Sequence, residues 1–289
     1  MSMIVNLWRE LLKKRAAAYP GRKSNALDDS GKLYLELLKK CVTNSIFDDD
    51  LDLLRGKRVV DPEGKYVTVE PAPVDAHNKY YGFIWPTRAH TMIGIPRLDN
   101  IQHCVETVLK AGVAGDLIET GVWRGGAVIF MRGILKAYGV TDRKVWVADS
   151  FEGLPEASHT RYPLETDKEF DKYRDLAVSF AEVARNFKRY DLLDDQVRFL
   201  KGWFRDTLPT APIEKLAVMR LDGDMYESTM DALVNLYPKL SVGGFVIIDD
   251  YNAVQSCNDA VEDFRKARRI TAEIQLLPVW GAFWRREAG

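Results

Sequence analysis

Apolar residues along the chain first recur at helical spacing, at Ile4, Leu7, Trp8, Leu11 and Leu12 and again at Leu33, Leu37, Leu38 and Val42. A polar, proline-rich stretch follows between about 56 and 87, with Asp61-Pro62-Glu63-Gly64 and Glu70-Pro71-Ala72-Pro73, and predicts loops and an edge hairpin. From about residue 98 short apolar runs alternate with amphipathic stretches. The spacing predicts helices over 98–109, 128–138, 179–190, 228–236 and 256–267, and strands over 115–119, 144–148, 197–200, 216–221 and 245–248. Such alternation implies a mostly parallel sheet covered by helices on both faces. Residues 273–279 and 282–286 break the pattern: they read as two strands around Trp280-Gly281, an antiparallel hairpin that brings the sheet to seven strands. The expectation is an α/β, Rossmann-like doubly wound domain over 88–289, behind a mainly helical or irregular extension over 1–87.

Composition narrows the partners. Lys and Arg number 41 against 42 Asp and Glu, a formal net charge of −1 that argues against a nucleic-acid footprint. Asp48-Asp49-Asp50 reads as a helix start or a solvated loop. The N-terminal apolar residues are interrupted by Asn6, Arg9 and Glu10, unlike a signal peptide, and no apolar run is long enough to span a bilayer. Cys41, Cys104 and Cys257 lack metal-type spacing and read as buried free thiols of a reducing cytoplasm. The extension could cap a site or make an oligomer contact, and its apolar helices point to a homodimer or higher homo-oligomer.

Candidate chemistry gathers where strands end. Asp222 and Asp224 follow the run Leu216–Met219, and Asp249 and Asp250 follow Phe245–Ile248. Carboxylates at the C-terminal ends of parallel strands lie where open α/β sheets bind ligands. Close anions need a shared proton or a cation, and a hard divalent ion with oxygen ligands is the simplest resolution. The plainer alternative is solvated aspartates that merely end strands. The first strand runs into Glu119-Thr120-Gly121-Val122-Trp123-Arg124-Gly125-Gly126, an E-x-G-x-x-x-G-G loop that is neither G-x-G-x-x-G nor a Walker loop. Asp149, ending the second strand, can accept hydrogen bonds from both hydroxyls of a ribose, and Glu119 suits a cationic or amine group. A pyrophosphate would be repelled by Glu119, so the pair favours S-adenosylmethionine over a dinucleotide. Gly202-Trp203-Phe204 offers either an adenine platform or ordinary core packing.

These segments carry a resemblance. Ala89-His90-Thr91-Met92-Ile93-Gly94, Arg97-Leu98-Asp99-Asn100, the stretch from Gly115 to Gly126, Val145 to Pro155, Leu221-Asp222-Gly223-Asp224-Met225-Tyr226 and Gly243 to Tyr251 resemble the macrocin O-methyltransferase (TylF-type) family over residues 88–286. Residues 1–87 resemble it less clearly. The resemblance implies a class I methyltransferase fold and magnesium-dependent methylation of hydroxyls on sugars and related positions of secondary metabolites. It further implies that Asp222, Asp249 and Asp250 ligate the metal and that Asp224 is the general base. The cofactor contacts it suggests are Thr91, Met92, Glu119, Thr120, Gly121, Asp149 and Ser150, to which the reading of the third strand end adds Gly202 and Trp203.

Metal coordination would lower the pKa of a sugar hydroxyl, and Asp224 would take its proton. Asp222 and Asp224, two residues apart, would share one side of an extended segment. His90 is the alternative base, while His77, His103 and His159 read as structural or exposed. The long connection over 152–196 is expected to form a lid over the acceptor, or else a surface insertion that packs its aromatics on the core. Three functions are carried forward: methylation of a glycoside natural product, methylation of a non-sugar hydroxyl such as a catechol or polyketide, and a silent methyltransferase-fold scaffold.

Overall fold

The computed structural model describes residues 27–53, 74–157 and 170–288, together with the backbone of short strands at 59–60, 66–67 and 72–73. The apolar pattern at Ile4 to Leu12 and His159 lie outside the described residues. After helix α1 (Asp29–Val42) come α2 (Ala76–Tyr81) and α3 (Gly94–Lys110), and then the alternating domain. Its strands are β1 (Asp116–Thr120), β2 (Val145–Asp149), β3 (Val197–Lys201), β4 (Leu216–Leu221), β5 (Leu240–Ile248), β6 (Gln275–Leu276) and β7 (Ala282–Arg285). Helices α4 (Gly126–Ala137), α5 (Phe180–Arg189), α6 (Phe204–Thr207), α7 (Tyr226–Leu236) and α8 (Gln255–Arg268) connect them.

The seven strands lie in the order β6-β7-β5-β4-β1-β2-β3, with β1 to β5 parallel and β7 antiparallel to both β5 and β6. This is the expected mostly parallel sheet with its terminal hairpin. Alternate side chains feed two cores. Leu117, Val147, Phe245 and Ile247 pack with α1, α3, α4 and α5, while Ile118, Met219, Val246, Ile248 and the fully buried Trp284 pack with α7 and α8. Burial on both faces explains why the strands read as continuous apolar runs rather than alternating ones.

Strand order reverses between β1 and β4, which opens a crevice at their C-terminal ends. The tips there are laced by backbone bonds: Gly121 N–H donates to Ala148 O, Asp222 to Thr120 O, Asp249 to Leu221 O and Gly202 to Asp149 O, each at 2.9 Å. These bonds hold the acidic residues of four strands level with one another.

Three local expectations differ from the structure. β5 begins at Leu240, not Phe245, because Gly243 (φ +83°) and Gly244 carry the strand through a register shift opposite Leu216 and Val218. On α1 the buried face is Leu35, Leu38 and Val42, whereas Leu33 and Leu37 are 71% and 51% exposed. Two apolar stripes share one helical period there, and spacing alone does not choose between them. Asp50 is neither a helix start nor solvated: its buried carboxylate accepts from the backbone of Arg88 (2.6 Å) and Ala89 (3.1 Å) and pairs with Lys79 at 2.9 Å. The polar stretch after it does form a hairpin, Val59–Val60 against Tyr66–Val67, while Leu51–Asp52 pairs with Ala72–Pro73.

Gly121 (φ +80°) fixes the distance between the β1 and β4 tips, because a Cβ there would lie 1.6 Å from the carbonyl oxygen of Asp222. Gly121→Ala is expected to destabilise the fold by more than about 3 kcal/mol, since the added methyl meets backbone and the residue adopts a left-handed conformation. The midpoint of urea unfolding measures this, and an unchanged midpoint would show that the two tips separate at little cost.

Candidate active site

The crevice deepens into a cavity of about 250 Å³ between the glycine loop, the strand tips and the segment before α3. Its shape begins with the turn from β1 into α4, where Gly121, Trp123 and Gly125 all take positive φ. Asp149 holds this turn, accepting from Val122 N–H at 2.7 Å and Phe151 N–H at 2.6 Å. Burial raises the Asp149 carboxyl above its ordinary range, while those two backbone bonds oppose the shift. Gly126 lies under the preceding segment and donates to His90 O at 2.8 Å; a Cβ there would sit 2.5 Å from that same oxygen. Residues 90–92 are thereby laid across the start of α4, and Thr91 and Met92 line the cavity.

Most of the expected cofactor residues converge here. Thr91, Met92, Glu119, Gly121, Asp149, Ser150 and Trp203 all line the cavity. Thr120 and Gly202 do not: Thr120 is fully buried within the sheet, and both act through their backbone in lacing the tips. Ser150 Oγ donates to Gly153 O at 2.7 Å, shaping the turn after β2.

The acidic side chains also converge. One carboxylate oxygen each from Asp222, Asp224 and Asp250 lies within 4.8 Å of the others. The segment bearing Asp224 is not extended as spacing suggested. Asp224 sits at φ +54°, and its N–H donates to Asp250 Oδ2 at 3.0 Å, so a turn aims it at the cluster. A non-glycine residue in the left-handed region is strained, and such strain gathers at functional sites. Asp249 stands apart from the trio: one oxygen pairs with Arg220 and the other with Arg97, both at 2.5 Å.

Arg220 and Arg97 are the residues that sequence reasoning missed. Arg220 is 1% exposed in the middle of the sheet and pairs with Glu119, with Asp222 (2.9 Å) and with Asp249. A charged residue inside the apolar run Leu216–Leu221 was the available signal. Arg97 also donates to Ile93 O at 2.7 Å and lies 5.0 Å over the Trp280 ring. Even so, Glu119 and Asp222, Asp224, Asp249 and Asp250 outnumber these two guanidiniums. Burial pushes Asp222 up to about 6, reinforced by the charge of Asp249. Burial and then the charges of Asp224, Asp222 and Asp249 hold Asp250 well above the carboxylate range. Burial raises Glu119 to about 8 against the pull of Arg220, and its Oε2 has no hydrogen-bond partner. Crowded carboxylates with uncompensated charge fit a hard divalent cation.

His90 points elsewhere. Its Nδ1 lies 2.7 Å from the Tyr190 hydroxyl, and burial together with Arg189 and Arg124 lowers its pKa to about 4. It does not line the acidic cavity, and neither do His77 and His103.

The chain is similar over most of its length to known O-methyltransferases. The chain is 52% identical over 263 residues to the 8-demethyl-8-(2,3-dimethoxy-alpha-L-rhamnosyl)-tetracenomycin-C 4'-O-methyltransferase of Streptomyces olivaceus, covering 90% of this chain and 95% of that one. It is 51% identical over 260 residues to the mycinamicin III 3''-O-methyltransferase of Micromonospora griseorubida, covering 89% and 97% respectively. The structure of the O-methyltransferase NovP matches with a TM-score of 0.79 at 49% identity, covering 89% of this chain and 100% of that chain. The extension is part of the likeness, because the family profile begins at residue 31 rather than near 88. With that profile, described as Macrocin-O-methyltransferase (TylF), matching residues 31–286, the chain belongs to the TylF family and is an O-methyltransferase.

Proposed function

We propose that this enzyme transfers the methyl group of S-adenosylmethionine to a sugar hydroxyl of a natural-product glycoside, aided by a divalent cation, most simply Mg²⁺. The convergence of Asp222, Asp224 and Asp250 carries the reading, because it places excess negative charge beside the glycine loop. The relatives' names, which place the methyl on a rhamnosyl 4' position and a 3'' position, support the acceptor class.

When bound, the cation would lower the pKa of a coordinated hydroxyl and fix its oxygen, and S-adenosylmethionine would supply an electrophilic methyl. The chain's own residues do the rest. Asp149, which also holds the turn through Val122, Phe151 and Trp123 N–H, would accept from the ribose hydroxyls. Glu119 Oε2 is available to an α-amino group, and Trp203 and Phe204, which line the cavity, would flank the adenine. In the first assignment Asp222, Asp249 and Asp250 would hold the cation and Asp224 would take the proton. A second assignment is favoured by the present geometry: Asp224 ligates with Asp222 and Asp250, and Asp249 stays with its two arginines.

Over the cavity, Leu154, Pro155 and Leu176 of the β2–β3 connection line the wall. Trp123 Nε1 donates to Asp175 O at 2.9 Å, and the Trp85 and Tyr173 rings lie 5.2 Å apart. These contacts support a lid that excludes water during transfer. Three free thiols, two of them buried, suit a reducing cytoplasm, with Cys41 only half-buried. Among the described residues no helix is long and apolar enough to cross a membrane. The exposed Leu33 and Leu37 on α1 support self-association.

Methyl transfer to a candidate glycoside should be lost in EDTA and restored by Mg²⁺; full turnover after exhaustive chelation would remove the cation from the reaction. Asp224→Asn should lower kcat by about 10²–10⁴-fold while S-adenosylmethionine binding is retained. Calorimetric Mg²⁺ titration separates the two assignments. Unchanged affinity in Asp224→Asn with weakened affinity in Asp249→Asn identifies Asp224 as the base, and the reverse pattern identifies it as a ligand. Arg220→Gln should cost about 3–5 kcal/mol in urea unfolding, because three carboxylates lose their buried partner. Cofactor should slow proteolytic cleavage within 152–196, and identical cleavage with and without it would dispose of the lid.

A further inference from the structure

A second concavity lies against the outer side of the glycine loop and shares no lining residue with the acidic cavity. The two are one residue apart along the chain: Thr91 and Trp123 face the first, His90 and Arg124 the second. We propose that this concavity is a binding site for a phosphate group, carried by a small molecule or present as the free ion.

Its walls come from separate elements that put positive charge in one place. On α5, Glu182, Arg185, Asn186 and Arg189 follow the i, i+3, i+4, i+7 spacing of one helix face, and all four line it. Opposite them stand Arg88 and Arg124. Arg88 is paired with Asp49 at 2.9 Å. Arg124 spends its Nη1 on the carbonyls of Pro86, Thr87 and Ala89, at 2.9–3.0 Å, and feels the charges of Glu182, Asp50 and Asp175 without an ion pair among the described residues. Arg189 reaches only Asn186 Oδ1 at 3.4 Å and His90 Nε2 at 3.5 Å, and Arg185 makes no ion pair among the described residues. Four arginines thus line the concavity against two lining carboxylates, Glu182 and the Asp49 paired with Arg88, with Asp50 and Asp175 acting on Arg124 from nearby. Guanidiniums presented by a rigid helix face recognise phosphate through paired N–H donors, while the buried amide of Asn186 ties that face to the glycine loop by donating to Arg124 O at 2.9 Å.

The surplus positive charge is felt inside the fold. His90, which also faces Tyr190 and lies near Asp50, is held down to about 4 by burial and then by Arg189 and Arg124. It is therefore a built-in reporter, since an anion seated between the arginines restores part of its affinity for a proton.

The test is an NMR pH titration of the imidazoles in the full chain at constant ionic strength, with the His90 resonance assigned by His90→Gln. Inorganic phosphate and ADP are added separately, with chloride as control. The expected result is an upward move of the His90 midpoint by about one pH unit with phosphate, ADP or both. That move should be absent in the Arg185→Gln/Arg189→Gln variant, whose altered side chains are exposed. A response to both ligands assigns the site to the phosphate group itself, and a response to ADP alone assigns it to phosphate on a nucleoside. Calorimetry of both ligands against the wild-type chain and Arg185→Gln alone gives an independent reading. No shift with either ligand, or an equal shift in the double variant, would overturn the proposal.

Discussion

The buried guanidinium of Arg220 is the constraint around which the active site is organised. It rises from the C-terminal end of β4 and meets Glu119 from β1, Asp222 beyond its own strand and Asp249 beyond β5. Without it, three carboxylates at adjacent strand tips would repel one another, and the close lacing of those tips would work against the fold. With it, the repulsion is only partly relieved, and the remaining acidity is directed at the cavity. One arginine thus supports packing and leaves the site short of positive charge. The packing of the strand tips and the negative charge of the cavity come from the same balance.

The glycine loop shows the complementary principle. Its shape depends on backbone hydrogen bonds and on glycines that allow neighbouring chains to touch, not on side chains that would touch the cofactor. Asp149 holds the loop by accepting from the backbone of Val122, Phe151 and Trp123.

Much of this was legible in the residues. Helix and strand alternation, the terminal hairpin and the acidic strand tips follow from periodicity and from Asp at the ends of apolar runs. What was not legible depended on long-range partners. Asp50 looks like its neighbours Asp48 and Asp49, and only the fold brings it to the 88–89 backbone. Leu33 and Leu37 share the helical period of the stripe that is buried instead. The convergence of Asp222 and Asp224 was anticipated for the wrong geometric reason, because a left-handed turn, not an extended chain, achieves it. Arg97 belongs to a recognised motif, yet its hold on Asp249 spans 152 positions of sequence.

The anchoring of residues 88 and 89 by Asp50 bears on how this enzyme class diversifies. The segment that carries Thr91 and Met92 is suspended from a carboxylate belonging to the extension, with Lys79 as counter-ion. Exchange of the leading region for a foreign one must therefore import an equivalent acid and its lysine together. A graft lacking either would leave one wall of the cavity hanging loose.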